Sequence, residues 1–153
     1  MANTYTQINI HLVFAVKGRQ SLFDSEMRIN LYKYITGILN NLDQYPLAVN
    51  GFEDHVHVFF EMSKTKSLSE IARTIKSNSS KWINDNKMFS GKFSWQEGYG
   101  AFSYSRSQRD GVIKYITNQE QHHRKRTFKE EYLDLLEKFK IEFSNEYVFE
   151  FIN

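Results

Sequence analysis

Residues 7–16 read Gln-Ile-Asn-Ile-His-Leu-Val-Phe-Ala-Val. Ile8, Ile10, Leu12, Phe14 and Val16 alternate with Gln7, Asn9, His11, Val13 and Ala15, the period of two that a strand imposes because successive side chains point to opposite faces. A long first strand is predicted. Downstream, Asp24 is placed to cap a helix whose apolar positions Ile29, Leu31, Tyr32, Ile35, Ile38, Leu39 and Leu42 repeat on one face through about residue 41. Pro46 ends the connection. Leu47-Ala48-Val49 and residues 55–61 then predict two more strands, with Gly51 and the Glu53-Asp54 pair turning between them. Ser67 or Ser69 caps a second helix, with Ile71, Ile75, Trp82 and Ile83 inward and Arg73, Lys76 and Lys81 outward. Residues 87–104 scatter glycine and serine among aromatics and predict a short strand, a loop and another short strand. Helices follow over about 107–121 and 129–140, joined by a basic linker. The tail 146–152 is expected to add a strand or pack as a peptide.

The order β-α-β-β-α-β predicts an α+β fold of the ferredoxin-like (RRM-like) kind. That is an antiparallel sheet with two helices on one face, here with C-terminal helices appended. No repeat, low-complexity run or proline-rich linker divides the chain. A single domain over 1–153 is expected, with its core at about 5–121 and a helical extension at about 122–153.

Composition narrows the function. The chain has 153 residues and no cysteine, so disulfides, thiolate metal sites and a cysteine nucleophile are excluded. No apolar run reaches the length of a membrane span, and the N-terminus lacks a signal-peptide pattern, so a cytoplasmic location and no membrane contact are expected. The net charge of +2 conceals an uneven distribution: residues 105–130 carry seven basic and three acidic side chains, and 131–153 carry two and six. A basic belt of this kind is either a solvated helix face or a surface for an anionic partner. Aromatic content of 16% fits either a filled core or a surface that stacks on bases.

Two constellations carry chemistry. In His55-Val56-His57 the histidines lie at i and i+2 on a strand, on one face and about 6.5–7 Å apart, where two imidazoles can converge on a metal. The competing reading is two half-exposed histidines on an ordinary sheet face. His11, on the polar face of the first strand, falls near them if first and third strands are neighbours. Tyr115 and Gln119 are four residues apart in the predicted third helix and share a face; the bland alternative is a packed tyrosine and a solvated glutamine. For His122 and His123 solvated positions at a helix end are expected.

Together these residues resemble the single-tyrosine HUH transposases of the IS200-like insertion-sequence family, with their REP-associated relatives. The resemblance rests on the ordered set His11-Leu12-Val13-Phe14, His55-Val56-His57, Ser77-x-Ser79-Ser80-Lys81, Phe93-x-Trp95-Gln96-x-Gly98-Tyr99 and Tyr115-Ile116-x-Asn118-Gln119, and runs from about Tyr5 to Gln121. It implies cleavage and rejoining of single-stranded DNA beside a hairpin through a 5′-phosphotyrosine. Tyr115 would be the nucleophile, and His55, His57 and Gln119 would hold a divalent metal, Mg²⁺ or Mn²⁺. It further implies a homodimer in which Tyr115 of one chain reaches the histidine pair of the other. Lys17, Arg19, Arg106, Arg109, Lys114, Arg124, Lys125 and Arg126 are then candidate DNA contacts, and the sheet edge with the segment around Phe93 and Trp95 a candidate dimer interface. A non-catalytic nucleic-acid-binding module on the same fold explains the basic belt and aromatics but not the histidines and tyrosine. A small metal-dependent hydrolase leaves Tyr115 idle.

Overall fold

The alternation of β1 (Asn9–Ala15) is realised literally: Ile10, Leu12 and Phe14 enter one core and Asn9, His11, Val13 and Ala15 another, so every residue of the strand is buried. The computed structural model describes residues 3–19, 22–123 and 126–143; the side chains of Arg19 and His122, the residues Arg124 and Lys125, and the tail 146–152 lie outside that description. β1 sits inside a four-stranded antiparallel sheet of order β2-β3-β1-β4, with β2 spanning Tyr45–Gly51, β3 His55–Glu61 and β4 Gly100–Tyr104. Pro46 lies at the start of the edge strand β2, where its missing N–H costs no ladder bond, and a register shift separates it from Ala48.

Helices α1 (Ser25–Asn41) and α2 (Leu68–Asp85) cover one face of the sheet. Each begins where its cap places it. Asp24 Oδ1 accepts from the N–H of Met27 at 2.9 Å, and Ser67 Oγ accepts from that of Glu70 at 3.2 Å. Phe93 and Trp95 belong to this first core: both are buried, and Trp95 Nε1 donates to Ser79 Oγ at 2.9 Å. They are therefore unavailable as the interface that the sequence suggested, and their segment forms only a bridge from Trp95 to Val16 rather than a strand.

The appended helices cover the second face. The predicted helix 107–121 is divided: a short 3-10 turn (Arg106–Gln108) leads into α3 (Arg109–Thr117), and α4 (Gln119–His122) follows after Asn118. Asn50 on β2 accounts for the break, since its Nδ2 donates to the carbonyls of Ile116 at 2.9 Å and Thr117 at 3.2 Å. α5 (Phe128–Lys138) starts at a capping box formed by Thr127 and Glu130, and sets Phe128, Leu135 and Leu136 against Val13, Ala15 and Phe102.

Gly51 ends β2 where the hairpin is tightest: a Cβ there would stand 2.2 Å from the carbonyl oxygen of His55. Backbone on both sides leaves nothing flexible to yield. Gly51→Ala is expected to destabilise the fold by at least about 2 kcal/mol, read as a lower denaturation midpoint, and to displace His55.

Candidate metal and nucleophile site

On the second face the register pairs Ala15 with His55, Val13 with His57 and His11 with Phe59, so His11 and His57 lie diagonally and both histidines of β3 face α5. None is half-exposed. His11, His55, His57, Gln119 and Glu131 are all fully buried. His55 Nδ1 meets Asp54 Oδ1 at 2.7 Å, and His57 Nδ1 meets His11 Nε2 at 2.7 Å. Each imidazole is thus held from behind, and the Nε2 atoms turn toward a common centre, the arrangement that orients histidine ligands.

At that centre stands Glu131, projecting from α5. Its Oε1 lies 3.1 Å from His57 Nε2, 3.5 Å from His55 Nε2 and 3.3 Å from His123 Nε2. Its Oε2 accepts from Gln119 Nε2 at 3.0 Å and from the hydroxyl of Tyr115. Gln119 Oε1 in turn lies 3.1 Å from His55 Nε2. The helix break does not separate Tyr115 from Gln119, because both reach the same carboxylate. His123 is not a solvated helix end: it bonds Gln119 Oε1 at 3.1 Å and stacks on Phe52 at 5.4 Å.

Burial alone would raise the Glu131 carboxyl pKa, but His57 and the hydrogen bonds from His123, His55 and His57 hold it far below the usual carboxylate range. Burial, and then Glu131 as charge and acceptor, push the Tyr115 phenol well above its ordinary value. Burial and the neighbouring His57 lower His11 well below an ordinary histidine. Burial also lowers His57, against Glu131. For His55 burial is outweighed by Asp54 and Glu131, which lift it to about 9.

These shifts predict how the metal-free protein responds to pH. Below about 6.5 the unfolded chain takes up protons that folded His11 and His57 refuse, so stability falls on acidification from pH 7 to 5. The slope is at most about 2.7 kcal/mol per pH unit for two protons. Further acidification removes the contribution of ionised Glu131. His55 acts with the opposite sign: its contribution is complete below about 6.5 and fades as the pH rises through about 9. A melting-temperature maximum near neutrality, measured with chelator present, is expected; a profile flat from pH 5 to 9 contradicts it.

His55, His57 and Glu131 offer ligand atoms that all lie within 4.8 Å of one another. Two imidazoles, a carboxylate and the Gln119 amide oxygen form a mixed N/O donor set that suits a divalent cation, and the buried, backed Nε2 atoms fit such an ion.

The surroundings match known proteins. Residues 4–119 match the family described as IS200-like transposases. The chain belongs to the IS200-like transposase family. Solved structures agree in fold. A candidate transposase from Deinococcus radiodurans is 20% identical with a TM-score of 0.60, covering 78% of this chain and 95% of its own. A REP-associated tyrosine transposase bound to a REP hairpin is 13% identical with a TM-score of 0.60, covering 80% and 73%. No curated protein matches.

In this transposase the cationic candidates divide. Lys17, Arg106 and Lys114 are exposed. Arg109 is engaged with Glu61 at 3.3 Å and Arg126 with Asp134. On α2, Lys76 ties down the carbonyls of Gln96 at 2.8 Å and Gly98 at 2.6 Å, and Lys81 pairs with Asp85. The single chain brings Tyr115 to its own histidines, with ring centroids 5.9 Å from His57 and 6.4 Å from His11. Glu131 and His123, absent from the candidates read in the sequence, lie beyond the matched residues. Glu131 had one legible signal: it is the charged residue within the apolar stripe Phe128, Tyr132, Leu135, Leu136 of α5.

Proposed function

We propose that this transposase cleaves and rejoins single-stranded DNA beside a hairpin, with Tyr115 as nucleophile and a divalent cation held by His55, His57, Gln119 and Glu131. The convergence of the tyrosine hydroxyl, both histidines and the glutamine on one buried carboxylate carries the reading; a pure binding module has no use for it. The hairpin finds support in the REP-associated neighbour, whose structure holds one.

When bound, the cation supplies Lewis-acid stabilisation of a phosphodiester oxygen and lowers the repulsion that shields phosphorus. Mn²⁺ or Mg²⁺ suits the oxygen donors, and the two imidazoles tilt the choice toward Mn²⁺. The chain's own residues do the rest. Tyr115 Oη forms the bond to phosphorus as the bond to the 3′ oxygen breaks, leaving a 5′-phosphotyrosine and a free 3′-OH. The proton that must leave Oη already points at Glu131 Oε2. Gln119 and Glu131 position the phenol, while His11 and Asp54 hold the imidazoles. Later attack by another 3′-OH reverses the chemistry without a nucleotide cofactor. Lys17, Arg106 and Lys114, exposed cations of the candidate set, are proposed as phosphate contacts, and Arg19, Arg124 and Lys125 are proposed with them from sequence position alone.

The test incubates the protein with Mn²⁺ and single-stranded DNA from the flanks of its own gene. A covalent protein–DNA adduct that survives a denaturing gel, with its phosphate on Tyr115 by mass spectrometry, is expected. Intact DNA with no adduct on any flank strand overturns the reading.

We also propose that two copies act together, because joining two ends requires two phosphates to be held at once. Since each chain already unites Tyr115 with His57, a mixture of His57→Ala and Tyr115→Phe proteins should stay inactive despite proven subunit exchange. Recovered cleavage would show instead that α3 is traded between chains, the shared arrangement that the resemblance implies.

A further inference from the structure

Gln108, Gly111, Val112 and Tyr115 recur at i, i+3, i+4 and i+7 along the start of α3, and Glu131, Asp134, Leu135 and Lys138 do the same along α5. At these spacings each set shares one helix face. The two faces look at each other across a cleft of about 430 Å³, which Tyr104 of β4 helps to line. Tyr115 lines the cleft while its hydroxyl is bonded to Glu131, so the cleft adjoins the reactive oxygen. His11, His55 and His57 are fully buried, whereas this cleft is an open approach to Tyr115.

The lining has the chemistry of a nucleotide. Val112 and Leu135 supply apolar walls and Tyr104 an aromatic ring, surfaces on which a base can stack irrespective of sequence. Lys138 Nζ stands 5.8 Å from the centroid of the Tyr104 ring, and Arg126 is bonded to Asp134. Glu131 at the inner end and Asp134 balance Arg126 and Lys138, and Lys138, which has no ion pair among the described residues, is the cation left to meet a phosphate. The volume suits a small ligand and is too small for a duplex.

We propose that this cleft binds one unpaired nucleotide of the DNA strand, the one adjoining the phosphate that Tyr115 attacks. The proposal rests on the reading of Tyr115 as nucleophile and assigns a strand-binding role to α5 residues outside the matched family region.

Gly111 provides the test. A Cβ at Gly111 meets no heavy atom within 4 Å, and leucine is a better helix former than glycine, so Gly111→Leu fills the cleft without opposing the fold. The probe is a single-stranded flank oligonucleotide carrying one 2-aminopurine, moved along the unpaired positions, with Tyr115→Phe protein used to prevent turnover. Binding should quench emission several-fold at one position. Gly111→Leu, in the same background, should abolish that quench and weaken the single strand at least tenfold, while melting no lower than its parent and binding a flankless hairpin equally. Lys138→Gln should weaken the single strand several-fold, less at high salt. Quenching at no position, or a quench and affinity unchanged by Gly111→Leu, overturns the cleft. The wild-type adduct assay runs separately. An adduct without a quench removes the cleft and keeps the nucleophile; a quench that Gly111→Leu abolishes, without an adduct, keeps the nucleotide site and removes the nucleophile.

Discussion

Replacing Tyr115 with phenylalanine is expected to reduce strand cleavage by at least about 10⁴-fold, the scale on which losing a nucleophile is felt, and to eliminate the covalent adduct. The structure explains why the protein should otherwise survive. The substitution removes one hydroxyl, and Glu131 retains its contacts to Gln119 and the histidines. The ring keeps its edge-on packing against His57 and His11. The loss of one hydrogen bond to a carboxylate costs about 1.5–3 kcal/mol. Unchanged hairpin binding and a melting temperature no more than about 10 °C below wild type should accompany the lost cleavage. Cleavage at the parental rate sinks Tyr115 as nucleophile.

Removing either histidine of β3 is expected to lower Mn²⁺ affinity at least about 100-fold, since even outer-sphere partners of metal ligands are worth 10- to 100-fold. His57→Ala also strips Glu131 of one donor and His11 of its 2.7 Å partner, so its thermal stability should fall further than that of Tyr115→Phe. Gln119→Ala should be milder, about tenfold, because water can replace a neutral oxygen donor. Glu131→Gln keeps the shape but removes the charge, and should weaken Mn²⁺ as strongly as a lost histidine. Calorimetric titration or the electron paramagnetic resonance of free Mn²⁺ reads all four without passing through DNA cleavage. Parental affinity in both histidine variants would place the ion elsewhere.

Much of the sheet and its first layer of helices was legible because local signals and global packing agreed. The alternation of residues 7–16 separates two cores, Asp24 and Ser67 (one of the two serines offered) cap their helices, and His55 and His57 share a face as strand geometry demands. The second face was not legible. His11 sat on the polar face of its strand and the HxH pair could be read as metal ligands or as half-exposed positions, but their burial by α5 could not be foreseen, because nothing local to residues 128–138 announces where that helix will lie. Asn118 interrupts the third helix because a side chain 68 positions earlier in the chain, Asn50, captures the carbonyls just before it, a long-range bond that periodicity cannot reveal. Phe93 and Trp95 show the same ambiguity with the opposite outcome: aromatic residues among glycines and serines look available for contact, and these two are core.

The position of α5 also sets a clock. It is seated on the sheet by Phe128, Leu135 and Leu136, and Phe128 lies stacked on His55 at 4.2 Å between ring centroids. An ion held by His55, His57 and Glu131 has no exposed ligand through which a chelator could begin to extract it, so its release without DNA, like the entry of a phosphate to it, is expected to wait for the helix to loosen. The rate of metal loss should therefore level off as chelator concentration rises, at a plateau equal to the undocking rate. Trimming the apolar seat, as in Leu135→Ala, should raise that plateau while leaving every ligand in place. Metal exchange at the proposed site would then be a stopwatch for a helix rather than a measure of bond strength.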